Sequence, residues 1–452
     1  MADSIDPVPE DVLRGIFKAY DIRGICPDEL SPSAARGIGH AFAEWSAAKQ
    51  IVMGRDMRPS GVFLADAFAE GVMAAGVDVI DIGLASTDLL YFASGHLDMP
   101  GAMLTASHNP AAYNGIKLCG PRAAPVGADS GLAEIAARST RGARSPSGGG
   151  RRRRGDLLDA FAAHVRSFVD VESLAPLRVV ADTANGMGGY VLPAVFEPLP
   201  LDWELMYGEL DGTFPNHPAD PIQPENLVDL SERVLSTGAD VGLALDGDAD
   251  RVFLVDERGR AVSGSLLTAL VAQAMLRRSG PGPILHNLIC SRAVPEAITE
   301  AGGQPLRTRV GHSYIKAEMA RTGAAFGGEH SGHYYFADNF GADSGLIAAL
   351  IALEQLSVAS VPLSELLAPL DRYASSGEIN TPVADIDEVM RRVSEHFAGL
   401  AQDRLDGLTV DGGDWWFNLR PSNTEPLLRL NLEAPDTAAV NERVSEIETL
   451  LA

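Results

Sequence analysis

Positive charge is scarce in this 452-residue chain: 36 Lys and Arg stand against 61 Asp and Glu, a formal net charge of −25. So acidic a chain repels phosphodiester backbones and anionic lipid heads. That excludes nucleic acid and membrane as general partners, and any anionic small substrate needs its own cluster of cations. Cysteine is scarcer still. Cys26, Cys119 and Cys290 are odd in number, far apart and without a CxxC pair. Neither a disulfide framework nor a zinc knuckle fits that usage, and a reducing cytoplasmic setting is expected. No apolar run approaches the ~18 residues of a membrane span. The opening MADSIDPVPEDVLRG lacks the basic head and apolar core of a signal peptide. What is present, 46% hydrophobic and 21% charged residues, is the balance of an ordinary globular protein, and the length asks for roughly three domains.

A pattern of apolar run, Gly-rich or polar turn, helical stretch and second apolar run occurs three times. It reads QIVMGRD to VDVIDIG, then LRVVADTANGMGGYVLPAVFEPL to DWELMYG, then GPILHNLICSRAVPEAITEAGGQPLRTRV. This is βαβ grammar, and it predicts three similar α/β domains with mixed sheets. From about residue 373 the order becomes strand, helix, three strands and helix, a smaller α+β domain. The expected units are 1–155, 156–257, 258–372 and 373–452. Within the first, RSTRGARSPSGGGRRRRG at 138–155 reads as a mobile loop or linker. Its four arginines are either a solvated run or a nucleic-acid or phosphate patch.

Four segments carry chemistry. In DGDADR, Asp246, Asp248 and Asp250 alternate after the apolar VGLAL. Three carboxylates so close repel unless a cation holds them, and hard oxygen ligands select Mg²⁺ or Ca²⁺. An EF-hand is excluded because Arg251 stands where its glycine belongs and RVFLVD reads as a strand; an acidic hairpin turn is the plain alternative. TASHNP places Ser107 in a polar loop between apolar runs, either a phosphate carrier or nucleophile or simply a turn. His108 follows directly, and sequence neighbours usually point apart, so no dyad is assumed. Lys117 stands ten residues on. In GGEHSGH, Glu329, Ser331 and His333 at alternate positions suit a polyol; His330 and His333 also raise zinc, but without a third ligand nearby. RPSNTEP offers Arg420, Ser422, Asn423 and Thr424 in a Pro-flanked turn, which is phosphate-binding chemistry or a surface turn.

Taken together, a metal triad, a loop serine, a polyol loop and a phosphate loop imply one central cleft and a sugar-phosphate substrate. FKAYDIRG, TASHNP, DGDADR, VGHSYIK, GGEHSGH and RPSNTEP occur in that order along the chain. In this the sequence resembles the α-D-phosphohexomutases, on the side of their bacterial phosphomannomutase/phosphoglucomutase members. The resemblance implies that Ser107 is phosphorylated and that it holds Mg²⁺ together with Asp246, Asp248 and Asp250. It implies that Arg23 and Arg251 flank the transferring phosphoryl group and that His108 or Lys117 handles the proton. Tyr20, His312, Glu329, Ser331 and His333, with Arg420, Ser422, Asn423 and Thr424, would bind substrate. The implied reaction interconverts hexose 6- and 1-phosphates of mannose or glucose through a hexose 1,6-bisphosphate. A glucosamine-phosphate mutase and a Mg²⁺-dependent sugar phosphatase are the alternatives. A monomer or weak homodimer is expected. One departure is visible: where some members carry a sugar-contacting lysine before CSR, this chain has Ile289, with Arg292 or Lys316 as substitutes.

Overall fold

The computed structural model describes residues 4–144, 149–421 and 427–451. Three of its sheets share one plan. In the first, Asp78–Leu84, Gln50–Arg55 and Gly101–Leu104 are parallel, and Tyr113–Cys119 and Ile22–Ile25 continue antiparallel. The second runs Asp202–Met206, Arg178–Asp182, Val241–Leu245, Val252–Asp256 and Ala261–Val262. The third runs Gln304–Thr308, Pro283–Asn287, Phe326–Gly328, Tyr334–Phe336 and Ala342–Asp343. In both, two parallel pairings are followed by two antiparallel ones. The second sheet takes in Ala261–Val262, so its unit runs past the expected boundary at 257. The fourth sheet, Ala374–Pro382, Leu427–Ala434, Trp416–Pro421, Leu408–Asp411 and Ala401–Asp403, is antiparallel throughout, with helices Ile386–His396 and Thr437–Leu451.

The apolar runs behave as periodicity requires. Val241–Leu245 and Val252–Asp256 are buried at every position, as strands covered on both faces must be. Helices begin where a hydroxyl satisfies an orphan N–H: Ser86 caps Thr87–Leu97, Ser263 caps Gly264–Ser279 and Ser344 caps Gly345–Ala359. The helix and strand cores of the first three units join in side-chain clusters that cross unit boundaries, Phe92 packing on Phe161 and Phe168 on Phe336. Among the described residues no helix is long and apolar enough to cross a membrane.

The arginine-rich stretch corrects an expectation. Its described residues are not a free loop: Arg152–Arg154 form an edge strand parallel to Asp78–Leu84. The reason is electrostatic as well as geometric. Arg152 reaches Asp66 (2.6 Å) and Asp81 (2.7 Å), while the Arg151 amide donates to Asp78 Oδ1 at 2.8 Å. Asp66 and Asp81 hold the Arg152 side chain, and Asp78 holds the backbone at Arg151. Residues 145–148 lie outside the described set.

His286, buried in strand Pro283–Asn287, supplies a pH dependence. Burial pushes its imidazole down to about 4, against the carbonyl of Asn287, which favours the proton. The folded value lies below that of the unfolded chain, so the unfolded chain takes the proton first. Stability is therefore full above about pH 6.5 and falls as pH drops toward 4. Urea unfolding at pH 7.5 and 5.0 should show wild type losing about 2 kcal/mol more than His286→Gln across that interval.

Candidate active site

Ser107 sits in the eight-residue connection between strands Gly101–Leu104 and Tyr113–Cys119. Its backbone is left-handed, φ 51°, a conformation costing a non-glycine residue about 1–2 kcal/mol. Three groups hold it there. Thr105 Oγ1 accepts from the Ser107 amide at 2.9 Å, and the Arg58 guanidinium donates to the Ser107 carbonyl at 2.8 Å. Gly247 closes from the other side, where a Cβ would stand 2.4 Å from that carbonyl oxygen. The twist brings Ser107 Oγ to 2.7 Å from Asp246 Oδ2 and 3.2 Å from His108 Nδ1. Serine and histidine therefore do meet, against the expectation for sequence neighbours, because the left-handed residue turns the two side chains toward one another.

The three aspartates converge beneath the serine, with ligand atoms within 4.8 Å of one another, and all are buried. Lys117 Nζ lies 2.7 Å from Asp248 Oδ2 and 2.6 Å from Asp250 Oδ2. Arg251 Nε lies 3.0 Å from Asp246 Oδ2. Both cations use Oδ2 atoms, whereas Asp248 Oδ1 and Asp250 Oδ1 are buried with no hydrogen-bond partner among the described residues. Two orphaned carboxylate oxygens beside the Ser107 hydroxyl are a donor set that a hard divalent cation fits. Burial, reinforced by its two acidic neighbours, pushes Asp246 up to about 7, while Lys117 and Thr87 hold Asp248 well below the ordinary range against its own burial.

Burial, with Arg251 and Arg23 alongside, drives His108 well below its usual value, so its imidazole is neutral at pH 7. Lys117 goes the other way: burial works against its charge, but Asp248 and Asp250 raise it well above the usual lysine value. Arg23 donates from Nε to Asp21 (2.7 Å) and from Nη1 to the Asn109 side chain.

Above this floor opens a cleft of about 700 Å³ to which all four units contribute. Tyr20, Arg23, Ser107, His108 and Lys117 come from the first, Asp250 from the second, Glu329, Ser331 and His333 from the third and Arg429 from the fourth. Tyr20 donates to the Val310 carbonyl at 3.0 Å, and burial raises its hydroxyl to about 12. His333 Nδ1 is 2.9 Å from Asp343 Oδ2, leaving Nε2 for a cleft ligand. Glu329 accepts from Asn287 (3.0 Å), the Gly311 amide (3.2 Å) and Tyr335. His330 turns away from the cleft, to Ser265 Oγ at 2.9 Å, so the two histidines of GGEHSGH share no ligand set.

Neither substitute for the missing lysine stands free. Arg292 fastens the fourth unit, its amide donating to Glu433 (3.0 Å) and its guanidinium to Asp411 (2.6 Å). Lys316 is buried against Asp343 at 2.8 Å and lies 3.7 Å from the centre of the Tyr91 ring. Arg420 is 3.4 Å from Glu378, with Arg429 on the same carboxylate at 3.2 Å. Ser422, Asn423, Thr424 and the side chain of His312 lie outside the described residues. Arg58, Asp343 and Arg429 had no motif to mark them. Arg429 was nevertheless within reach of pattern reasoning, because the two strands around RPSNTEP pair it directly with Arg420.

Four family models match the chain consecutively: phosphoglucomutase/phosphomannomutase alpha/beta/alpha domain I over residues 14–144, domain II over 159–259, domain III over 263–373 and the C-terminal domain over 378–450. The chain belongs to the phosphoglucomutase/phosphomannomutase family. It is 39% identical over 448 residues to a phosphomannomutase of Escherichia coli K12, covering 96% of this chain and 98% of that one. It is 40% identical over 443 residues to a protein of Xanthomonas campestris pv. campestris named phosphohexose mutases, with the same coverage. Among solved structures, a phosphoglucomutase/phosphomannomutase family protein of Burkholderia thailandensis superposes with a TM-score of 0.88 at 32% identity, over 98% of this chain and 97% of that one. The family's four-unit plan and the cleft that all four units line thus coincide in this member.

Proposed function

We propose that this cleft interconverts hexose 6-phosphates and hexose 1-phosphates, with mannose and glucose phosphates as substrates. The observation that carries the reading is the approach of Ser107 Oγ to Asp246 (2.7 Å) and His108 (3.2 Å) on the floor of a cleft that reaches all four units.

Phospho-Ser107 donates its phosphoryl group to the free hydroxyl of a bound hexose monophosphate, giving the 1,6-bisphosphate. The sugar turns within the cleft, and its other phosphate returns to Ser107. A phosphoserine carries about −1.5 to −2 charge at pH 7, and Arg23 and Arg251 would offset it. Asp246, Asp248 and Asp250, with a phosphoserine oxygen, would hold Mg²⁺, which supplies Lewis-acid stabilisation of the charge spread over the transferring group. Lys117 acts as a fixed cation between two carboxylates. His108, neutral beside Ser107 Oγ, is the better proton acceptor of the two residues named from sequence. His333, oriented by Asp343, serves the sugar hydroxyl, with Glu329 and Ser331 gripping its neighbours. Arg420, Ser422, Asn423 and Thr424 hold the non-reacting phosphate, and Tyr20 and His312 contribute to substrate binding. The fourth unit closes as a lid that excludes water. Small phosphosugars are the partners, in the cytoplasm, and the protein acts as a monomer or weak homodimer.

The test is a coupled assay with mannose 1-phosphate and glucose 1-phosphate, each with a trace of the matching 1,6-bisphosphate. Isomerisation of both sugars is the expected result. Free phosphate released as fast as sugar turns over would make the protein a phosphatase and overturn the reading. Chelation with EDTA should abolish isomerisation and added Mg²⁺ should restore it; full activity in EDTA would remove the aspartate triad from the account.

A further inference from the structure

Arg58 is the largest fully buried polar side chain among the described residues, at 0% exposure, and it touches neither the cleft nor the aspartates. A guanidinium has five N–H donors in a fixed plane, and here all five are engaged. Nε donates to Asp56 Oδ2 at 3.2 Å. Nη1 donates to the carbonyls of Pro110 and Tyr113, both at 2.9 Å. Nη2 donates to the carbonyls of Ser107 (2.8 Å) and Asn109 (2.6 Å). Four of the five acceptors are therefore main-chain oxygens of a single stretch, 107–113, which has almost no ladder bonds of its own. The outer face of the guanidinium is covered from the second unit: the Phe214 ring lies 5.1 Å away, and Gly212 comes so close that a Cβ there would stand 2.6 Å from the Arg58 Cα.

We propose that Arg58 is the positioning residue of the phosphate-carrying loop, fixing Ser107 in its left-handed turn through four carbonyl contacts and tying that loop to the second unit through Phe214. The inference rests on the mutase reading above. Phosphoryl transfer depends on alignment of the serine oxygen, the phosphorus and the sugar hydroxyl, and a displacement of about 1 Å costs on the order of 100-fold in rate. A lysine cannot replace the fork. It offers three donors from one point on a flexible stem, so at least two of the five acceptors would be left buried and unpaired. The sugar and its non-reacting phosphate are gripped by the third and fourth units and by Tyr20 of the first, none of which Arg58 touches. Its loss should therefore fall on turnover and spare substrate binding.

Steady-state kinetics of wild type, Arg58→Lys and Phe214→Ala on mannose 1-phosphate, beside their melting temperatures, test this. Wild-type isomerisation is measured first; its absence would overturn the mutase reading itself, whereas the variants judge only the role of Arg58. Arg58→Lys is expected to lower kcat on the order of 100-fold with KM within about threefold of wild type. Phe214→Ala removes only the cover from a half-exposed loop residue, so it should remain folded and lower kcat about tenfold, again with KM held. A folded Arg58→Lys with wild-type kcat would overturn the proposal, as would kcat and KM deteriorating together in step with melting temperature. If Arg58→Lys does not fold, wild-type turnover in Phe214→Ala overturns it.

Discussion

Ser107→Ala is expected to lose isomerisation by on the order of 10⁴-fold or more, with the fold intact. The substitution deletes one buried oxygen, and the backbone supports at Thr105, Arg58 and Gly247 do not depend on it. The left-handed turn should therefore survive, and melting should shift little. What disappears is the atom that carries the phosphoryl group, and among the described residues the neighbouring hydroxyls are engaged elsewhere: Thr105 Oγ1 accepts from the Ser107 amide and Thr87 Oγ1 is committed to Asp248. Intact-mass spectrometry of wild type should find a fraction bearing one phosphoryl group, and the variant none. Isomerisation by Ser107→Ala within tenfold of wild type would remove the carrier from the mechanism.

Lys117→Met should be costly in a different way. Lys117 is a buried ammonium between two buried carboxylates, 2.7 Å and 2.6 Å away. Methionine fills comparable volume but leaves Asp248 and Asp250 without that cation. Removing one partner of a buried ion pair costs about 3–5 kcal/mol, because the uncompensated charge stays in a low-dielectric site. The aspartates offer Oδ1 atoms that Lys117 does not use, so a divalent cation can partly take over its electrostatic role. Mg²⁺ should thus raise the melting temperature of Lys117→Met by more than it raises that of wild type. Activity should fall by about 10²–10³-fold, the scale of losing one preorganised charge at the reacting group. Equal Mg²⁺ stabilisation of the two proteins would contradict this assignment of Lys117.

Much of this was legible in the sequence because the chemistry sits in short contiguous segments. DGDADR, TASHNP and GGEHSGH each place several functional groups within a few residues, and the structure gathers Asp250, Ser107 and His333 around one cleft. The βαβ repeat was likewise readable, since apolar strands buried on both faces are continuous runs. The rest depends on contacts that no local pattern encodes. Arg58 reads as one arginine in an ordinary helix entry, RDMRPSG; only the folded loop brings four carbonyls to it. Asp343 lies ten residues after the histidine it orients. The arginine run at 151–154 is exposed, as a solvated run would be, but its edge-strand pairing was not readable because the residues that hold the Arg151 amide and Arg152, Asp66, Asp78 and Asp81, are some seventy to ninety positions earlier. Arg292 looked like a sugar contact for the same reason: its partners, Asp411 and Glu433, belong to a unit formed far downstream.

The central claim is that Ser107 passes a phosphoryl group to a sugar hydroxyl and takes one back. It is tested most directly by loading Ser107 with a ³²P-phosphoryl group and mixing the protein rapidly with unlabelled mannose 1-phosphate. The account predicts that label leaves the protein and appears in mannose 1,6-bisphosphate and then in mannose 6-phosphate. Label recovered as inorganic phosphate, or retained on the protein while the sugar isomerises, would contradict it.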